Sequence, residues 1–336
     1  MHKRYRAGIV AAVVLAGSLL AGAGVANADG RGDRGEDERE NGYEIGLIGD
    51  MPYGDTGRAQ FPDVIADINA HRLAFTAFDG DLKNGKERCD QPQYDAALAN
   101  FNSFKDPLVY VPGDNEWTDC DRASNGSYDP NERLALVRTM FAAGPDSLGQ
   151  RTIALTRQSA QYPENVRWQR GDVTYLGLNV PGSDNNAPQF DATGKQVDGD
   201  LAEYTARNAA NLAWLDASFA AARAAHSVAV MVIIQADMWS AGDPTAHFAD
   251  TRTALARLAI GFAGPVVLVN GDSHFLKIDK PLTDAKGNVI ENFTRVQTFG
   301  SDQNHWVSAT VDRRDPEVFT FHQHIVAANL PTYVSP

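Results

Sequence analysis

Four times in this chain an apolar run closes on Gly-Asp: Gly49-Asp50 after "YEIGLI", Gly80-Asp81 after "RLAFTAFD", Gly113-Asp114 after "PLVYVP" and Gly271-Asp272 after "PVVLVN". A single such step is an ordinary turn, because Gly takes the left-handed backbone and Asp bonds its own loop. Four of them, each closing an apolar run, ask for parallel strands that stop at one edge. Strand-like runs occupy 43–49, 72–78, 107–113, 173–180, 228–235 and 265–271, and 292–300, 305–312 and 318–326 read as a run of neighbouring strands. Helical spacing covers roughly 58–70, 93–104, 130–142, 201–225 and 247–262, the Ala-rich 201–225 with Leu201, Tyr204, Asn208, Leu212, Leu215 and Phe219 on one stripe. The alternation predicts an α/β fold with a largely parallel core that ends in antiparallel strands. No repeat or internal boundary interrupts residues 43–336, which read as a single domain.

Ligands bind at the carboxyl edge of open α/β sheets. Five strand ends place Asp50; Asp79 and Asp81; Asp114, Asn115 and Glu116; Gln235 and Asp237; and Asp272 and His274 at that edge. Carboxylates crowded this closely repel one another unless cations neutralise them.

At 336 residues, 43% hydrophobic and 22% charged, the chain is long and apolar enough to bury a substantial core. It opens on a basic "MHKRYR", a run of apolar and small residues, and Ala26-Asn27-Ala28, the pattern of an export signal over residues 1–28 cleaved after Ala28. The protein is therefore expected outside the cytoplasm, with no stable membrane anchor. Losing Lys3, Arg4 and Arg6 takes the formal charge from −13, by three cations, to −16. Such a surface repels nucleic acid. Residues 29–42 are rich in Gly and charge and read as a disordered linker. Cys89 and Cys120 make a disulfide if the compartment is oxidising, or two buried thiols if they do not pair.

The order Gly-Asp, Gly-Asp, Pro-Gly-Asp-Asn-Glu, a polar residue after an apolar strand, then Gly-x-x-His resembles the calcineurin-like metallophosphoesterases, the superfamily that includes the purple acid phosphatases. The resemblance spans about residues 43–276 and implies a four-layer αββα sandwich with two divalent metal ions at the strand ends, bridged by an Asp and by a hydroxide that attacks phosphorus. By that resemblance Asp50 and His274 are ligands of one metal, Asp81 is the bridging ligand, and Asp114, Gln235 and Asp272 stand at further ligand positions. The substrate implied is a small phosphate ester.

The departures are specific. Pro52, Gln235 and Asp272 stand where the family places ligand histidines, and Asn115 stands where it places the His that assists the leaving group. The set is rich in oxygen, which favours Mn, Mg or Ca over Zn or Fe. It also leaves a metal-binding relative without turnover as the alternative to a hydrolase. Two cations about 3.5–4 Å apart can hold phosphate oxygens and lower the pKa of a bound water. Asn115 can donate a hydrogen bond there but not a proton. A sugar hydrolase with paired carboxylates leaves His274 and the repeated Gly-Asp steps unexplained.

Glu116 and Asp237 read equally as groups orienting the ligands or as helix caps. Trp117, Trp239 and Trp306 read as packing, with lining of a substrate pocket as the alternative, and His305 as a structural residue before one that approaches the site. His71, His226, His247, His322 and His324 have no motif context. Substrate choice and oligomeric state are not written in these motifs, and loops 118–130 and 181–200 are where discrimination between substrates is expected.

Overall fold

In the computed structural model, which describes residues 42–241 and 245–331, fourteen strands form two large sheets and a small hairpin. In chain order they are β1 (Tyr43–Ile48), β2 (Thr76–Phe78), β3 (Leu108–Tyr110), β4 (Thr156–Arg157), β5 (Val166–Arg170), β6 (Val173–Gly177), β7 (Gln189–Phe190) and β8 (Gln196–Asp198). Then come β9 (Ala229–Ile233), β10 (Val266–Asn270), β11 (Lys277–Asp279), β12 (Phe293–Gln297), β13 (Trp306–Val311) and β14 (Phe319–His324). One sheet runs β14-β13-β1-β2-β3, the other β11-β12-β10-β9-β6-β5-β4. The export signal over 1–28 and the linker, apart from Gly42, lie outside the described residues.

Side chains from both sheets meet in one apolar layer: Ile45, Leu47, Ala77 and Val109 from the first, Tyr175, Met231, Val267 and Val296 from the second. Helices cover the outer faces. α1 (Gly54–Ile68), α2 (Gln91–Phe101) and α3 (Pro130–Phe141) lie on the five-stranded sheet, and α4 (Leu201–Ala224) and α5 (Ala249–Ile260) on the seven-stranded one. This is the expected αββα sandwich. Covered on both faces, β6, β9 and β10 are buried at every position, which is why they read as continuous apolar runs.

Asp200 caps α4, its carboxylate accepting from the Ala202 and Glu203 backbone N–H groups. The buried stripe runs Asn208, Asn211, Leu215, Phe219 and Ala222. Leu201, expected on it, is exposed: it is the first residue of the helix, and the buried positions begin only at Arg207. The three last strands do not form one run either. β12 pairs parallel with β10 in the seven-stranded sheet, whereas β13 and β14 complete the other. The segment between β12 and β13 therefore crosses from one sheet to the other, and Gly300 in it packs against the Asp50 side chain.

Parallel register sets the level of the edge. Ile48, Phe78 and Tyr110 are aligned across β1, β2 and β3, as are Gly177, Ile233 and Val269 across β6, β9 and β10. The residues that follow emerge together.

Candidate metal centre

The turns that leave these strands are unusual in backbone conformation. Asp50, Asp81, Asp272 and His274 all take positive φ, at 50°, 61°, 73° and 65°. Non-glycine residues pay roughly 1 kcal/mol or more for such a conformation, and it persists where surrounding structure enforces it. The glycine of the last Gly-Asp step is required by packing, since a Cβ on Gly271 would lie 1.9 Å from Asp50 Oδ2.

Asp50, Asp81 and His274 each present one ligand atom, all within 4.8 Å of one another. The Asp272 backbone N–H donates to both Asp50 oxygens, at 3.1 and 2.9 Å, and His274 Nε2 lies 3.5 Å from Asp50 Oδ1. Asp81 Oδ2 accepts from Asn115 Nδ2 at 2.6 Å and from the Tyr53 hydroxyl at 2.8 Å, and its Oδ1 accepts from the Asn115 N–H at 3.1 Å. Asp114 and Asp272 flank Gly182, where a Cβ would sit 2.9 Å from an oxygen of each. Both ends of the Gln235 amide are used within the protein: Nε2 donates to Asp114 Oδ1 at 3.1 Å, and Oε1 accepts from the Gly182 N–H. Gln235 thus joins two loops, and its oxygen does not face the other carboxylates freely.

Buried negative charge dominates the electrostatics. Burial, reinforced by neighbouring carboxylates, pushes Asp79, Asp81 and Asp272 well above the usual carboxylate range. Burial also raises Asp50, against the opposing pull of His274. For His274, burial lowers the imidazole, but the Asp50 contact and the surrounding carboxylates outweigh it and the group ends raised. Burial and the charge of Asp114 push Asp119 up to about 7, against the ion pair with Arg122. These directions describe a cluster with too little positive charge beside it. Asp79 Oδ1 is buried, next to Asp50, with no hydrogen-bond partner among the described residues. Divalent cations fit this donor set of carboxylate oxygens and one imidazole.

Outside the ligand candidates, Glu116 is a brace. Its Oε1 accepts from the Tyr110 hydroxyl, the Gly113 N–H and the Asp81 N–H, locking the second and third strand-end turns together. Asp237 accepts from Arg295, Trp239 N–H and Ser273 Oγ while its own N–H bonds Asp272 Oδ2. Cys89 and Cys120 are disulfide-bonded, and both sulfurs lie against the Asn115 carbonyl oxygen, at 3.6 and 3.7 Å. His305 Nδ1 accepts the Val326 N–H. Trp117 and Trp306 are fully buried packing residues.

Three contributors gave no sequence signal. Tyr53 looks like a core aromatic three residues past Asp50, yet its hydroxyl reaches Asp81. Ser183 donates at 2.6 Å to Asp114 Oδ2, and also lies 2.6 Å from Asp119 Oδ1. It belongs to a left-handed turn, Ser183 to Asn186, that Arg207 of α4 holds through the Asn185 side chain and carbonyl. Arg122 pairs with Asp119, and its Nη2 lies 3.2 Å from Ser183 Oγ. Loops 118–130 and 181–200 thus meet at the carboxylate cluster.

No protein-family model matches the sequence, and no curated protein is significantly similar to it. Among solved structures, a dimetal phosphatase from Danio rerio shares the fold with a TM-score of 0.54 and 14% identity, over 85% of this chain and 96% of that one. The protein TT1561 of Thermus thermophilus gives 0.48 and 12% over 85% and 99%, and a purple acid phosphatase from yellow lupin seeds 0.46 and 10% over 84% and 53%. The fold is that of the calcineurin-like metallophosphoesterases.

Proposed function

We propose that the protein is an exported, divalent-metal-dependent phosphoesterase acting on small phosphate esters. The observation that supports this most is the convergence of buried Asp50, Asp81 and Asp114 with half-buried Asp272 and His274, drawn from both sheets to one edge. On this reading Asp50, His274 and Asp81 hold one ion, and Asp81, Asp114 and Asp272 a second, with Gln235 fixing Asp114. Bound there, divalent ions supply Lewis acidity toward phosphoryl oxygens and lower the pKa of a coordinated water.

The chain's own residues set the rest. Asn115 and Tyr53 donate to Asp81 and fix the orientation of its carboxylate. Asn115 supplies no proton to a leaving oxygen, so aryl esters and anhydrides are turned over faster than alkyl phosphates. Arg122, partly exposed at the rim, is the cation placed to meet a phosphate oxygen. The disulfide is in keeping with an oxidising compartment, and no helix among the described residues is long and apolar enough to cross a membrane.

Gln235 and Asn115, whose amides are taken up by protein contacts, support a second reading, a metal- or ligand-binding relative without turnover. Hydrolysis of an aryl phosphate and an aryl diester by the chelator-treated protein, resupplied in turn with Mn²⁺, Mg²⁺, Ca²⁺ and Zn²⁺, separates the two. Turnover restored by the hard ions supports the enzyme, and none with any ion eliminates it.

A further inference from the structure

Two histidines without motif context meet on the helix-covered face of the five-stranded sheet. Asp67 in α1, His71 just beyond that helix and His324 at the end of β14 are half-buried and offer one carboxylate oxygen and two ring nitrogens within 4.8 Å of one another. The imidazoles meet edge to face, centroids 4.8 Å apart. Asp67 and His324 are oriented by hydrogen-bonded neighbours, and His71 has a carboxylate nearby. Trp306 Nε1 donates to Asp67 Oδ2 at 2.7 Å, and its ring stacks on His324 at 3.8 Å. Ser308 Oγ lies 2.9 Å from His324 Nε2, and a Glu44 oxygen lies 3.7 Å from His71 Nδ1. Imidazoles and carboxylates fixed by outer partners in this way are the usual setting of a metal ligand.

We propose that Asp67, His71 and His324 form a second, separate binding site for a divalent transition-metal ion of the zinc class. Two imidazoles and a carboxylate suit that class, in contrast to the oxygen-rich strand-end centre. Tetrahedral zinc with ligands at about 2.0–2.1 Å spaces its donor atoms about 3.4 Å apart, so closure needs about an ångström of side-chain movement. The two sites share no residue. Ser308 is paired with Gly46, inside β1, whereas Asp50 lies beyond the end of that strand. A bound ion would tie α1 to β14, the outermost strand of its sheet, and stabilise the native state by mass action.

The test is zinc content after equilibrium dialysis against Zn²⁺, in the wild type, in the double variant His71→Ala/His324→Ala and in Asp81→Ala. The double variant is expected to lose one zinc equivalent and keep Mn²⁺-supported turnover, whereas Asp81→Ala keeps that equivalent. Equal zinc content in the folded double variant and the wild type overturns the proposal. Should the double variant not fold, the unmodified protein decides. Modification of His71 and His324 by diethylpyrocarbonate, mapped by mass spectrometry, is expected to fall about tenfold when Zn²⁺ is about ten times its Kd. Exposed His226 and His322 stay unchanged, and modification of His71 and His324 that zinc does not alter overturns the proposal.

Discussion

Leu47 and Asp50 lie three residues apart, and the two positions obey different rules. Leu47 is extended, paired on both sides and buried in the apolar layer between the sheets. Asp50 is equally buried but left-handed in backbone, raised in pKa and set among other carboxylates. The layer supplies the stability of the molecule through apolar burial. The edge opposes it, because desolvated carboxylates and left-handed turns each cost free energy. On the proposed reading, an edge held in this state by the layer beneath it is preorganised for cations.

Single substitutions separate the two regions, and the largest effect belongs to the edge. Asp81→Ala is expected to lower metal-supported turnover by about a thousandfold or more, since a shared ligand contributes to several kcal/mol of transition-state stabilisation. The same change should raise the melting temperature of the metal-free protein by removing a buried carboxylate. Leu47→Ala does the reverse, costing about 2–5 kcal/mol of stability while the folded fraction keeps its turnover per metal-loaded molecule. Chelator-treated calorimetry beside steady-state kinetics reads both. An Asp81→Ala protein that is less stable without metal, yet fully active, breaks the contrast.

The disulfide belongs to both regions, as a link that stabilises the chain and backs Asn115. Replacing Cys89 and Cys120 with Ser is expected to cost about 3–4 kcal/mol on the loop-entropy model for a sequence separation of 31. Denaturant unfolding of the double variant measures it.

pH sharpens the contrast further. Asp50, Asp79, Asp81 and Asp272 have folded-state pKa values above the ordinary 3.8, so the metal-free native state binds more protons than the unfolded chain as pH rises from about 4. Stability therefore falls with rising pH through that window. His274, also raised, acts in the same direction: its contribution is present below 6.5 and is lost as pH rises through its folded value. The metal-free protein should melt at a higher temperature near about pH 5.5 than near about pH 8, and saturating Mn²⁺ should close or reverse the difference because metal and protons compete for the same groups. A metal-free melting temperature that climbs between these values contradicts the electrostatic description of the edge.

The smallest expected effect is at the rim. Arg122→Ala should raise KM for an aryl phosphate about tenfold with little change in kcat, the loss of one charge-assisted contact of about 1.4 kcal/mol. An equal fall in kcat with KM unchanged would instead make Arg122 part of the organisation of Asp114 and Asp119.

How far the sequence could be read follows the same division. The strands of the layer are continuous apolar runs, and the recurring Gly-Asp steps mark where they stop, so the α/β class and Asp50, Asp81, Asp114, Asp272 and His274 as candidates were legible locally, while the four-layer sandwich came with the resemblance of their order to a family. The separation of β12 from β13 was not, because sheet membership depends on a crossing near Gly300 that has no period of its own. Tyr53 and Ser183 were hidden for a related reason: their contacts come from side-chain direction and from a left-handed turn held by Arg207 of another element. His71 and His324 meet only because β14 folds back beside β13. Gln235 was visible as a polar strand end, but not that its amide would be consumed by Asp114 and Gly182.

The most direct measurement is Mn²⁺ bound per chain, by equilibrium dialysis and elemental analysis, in the wild type and in Asp81→Ala. The result expected is a pair of ions in the wild type, with binding at both positions weakened together in Asp81→Ala because that carboxylate serves both. A wild-type protein that binds no Mn²⁺, or an Asp81→Ala protein that binds it as the wild type does, would contradict a metal centre built on these strand ends.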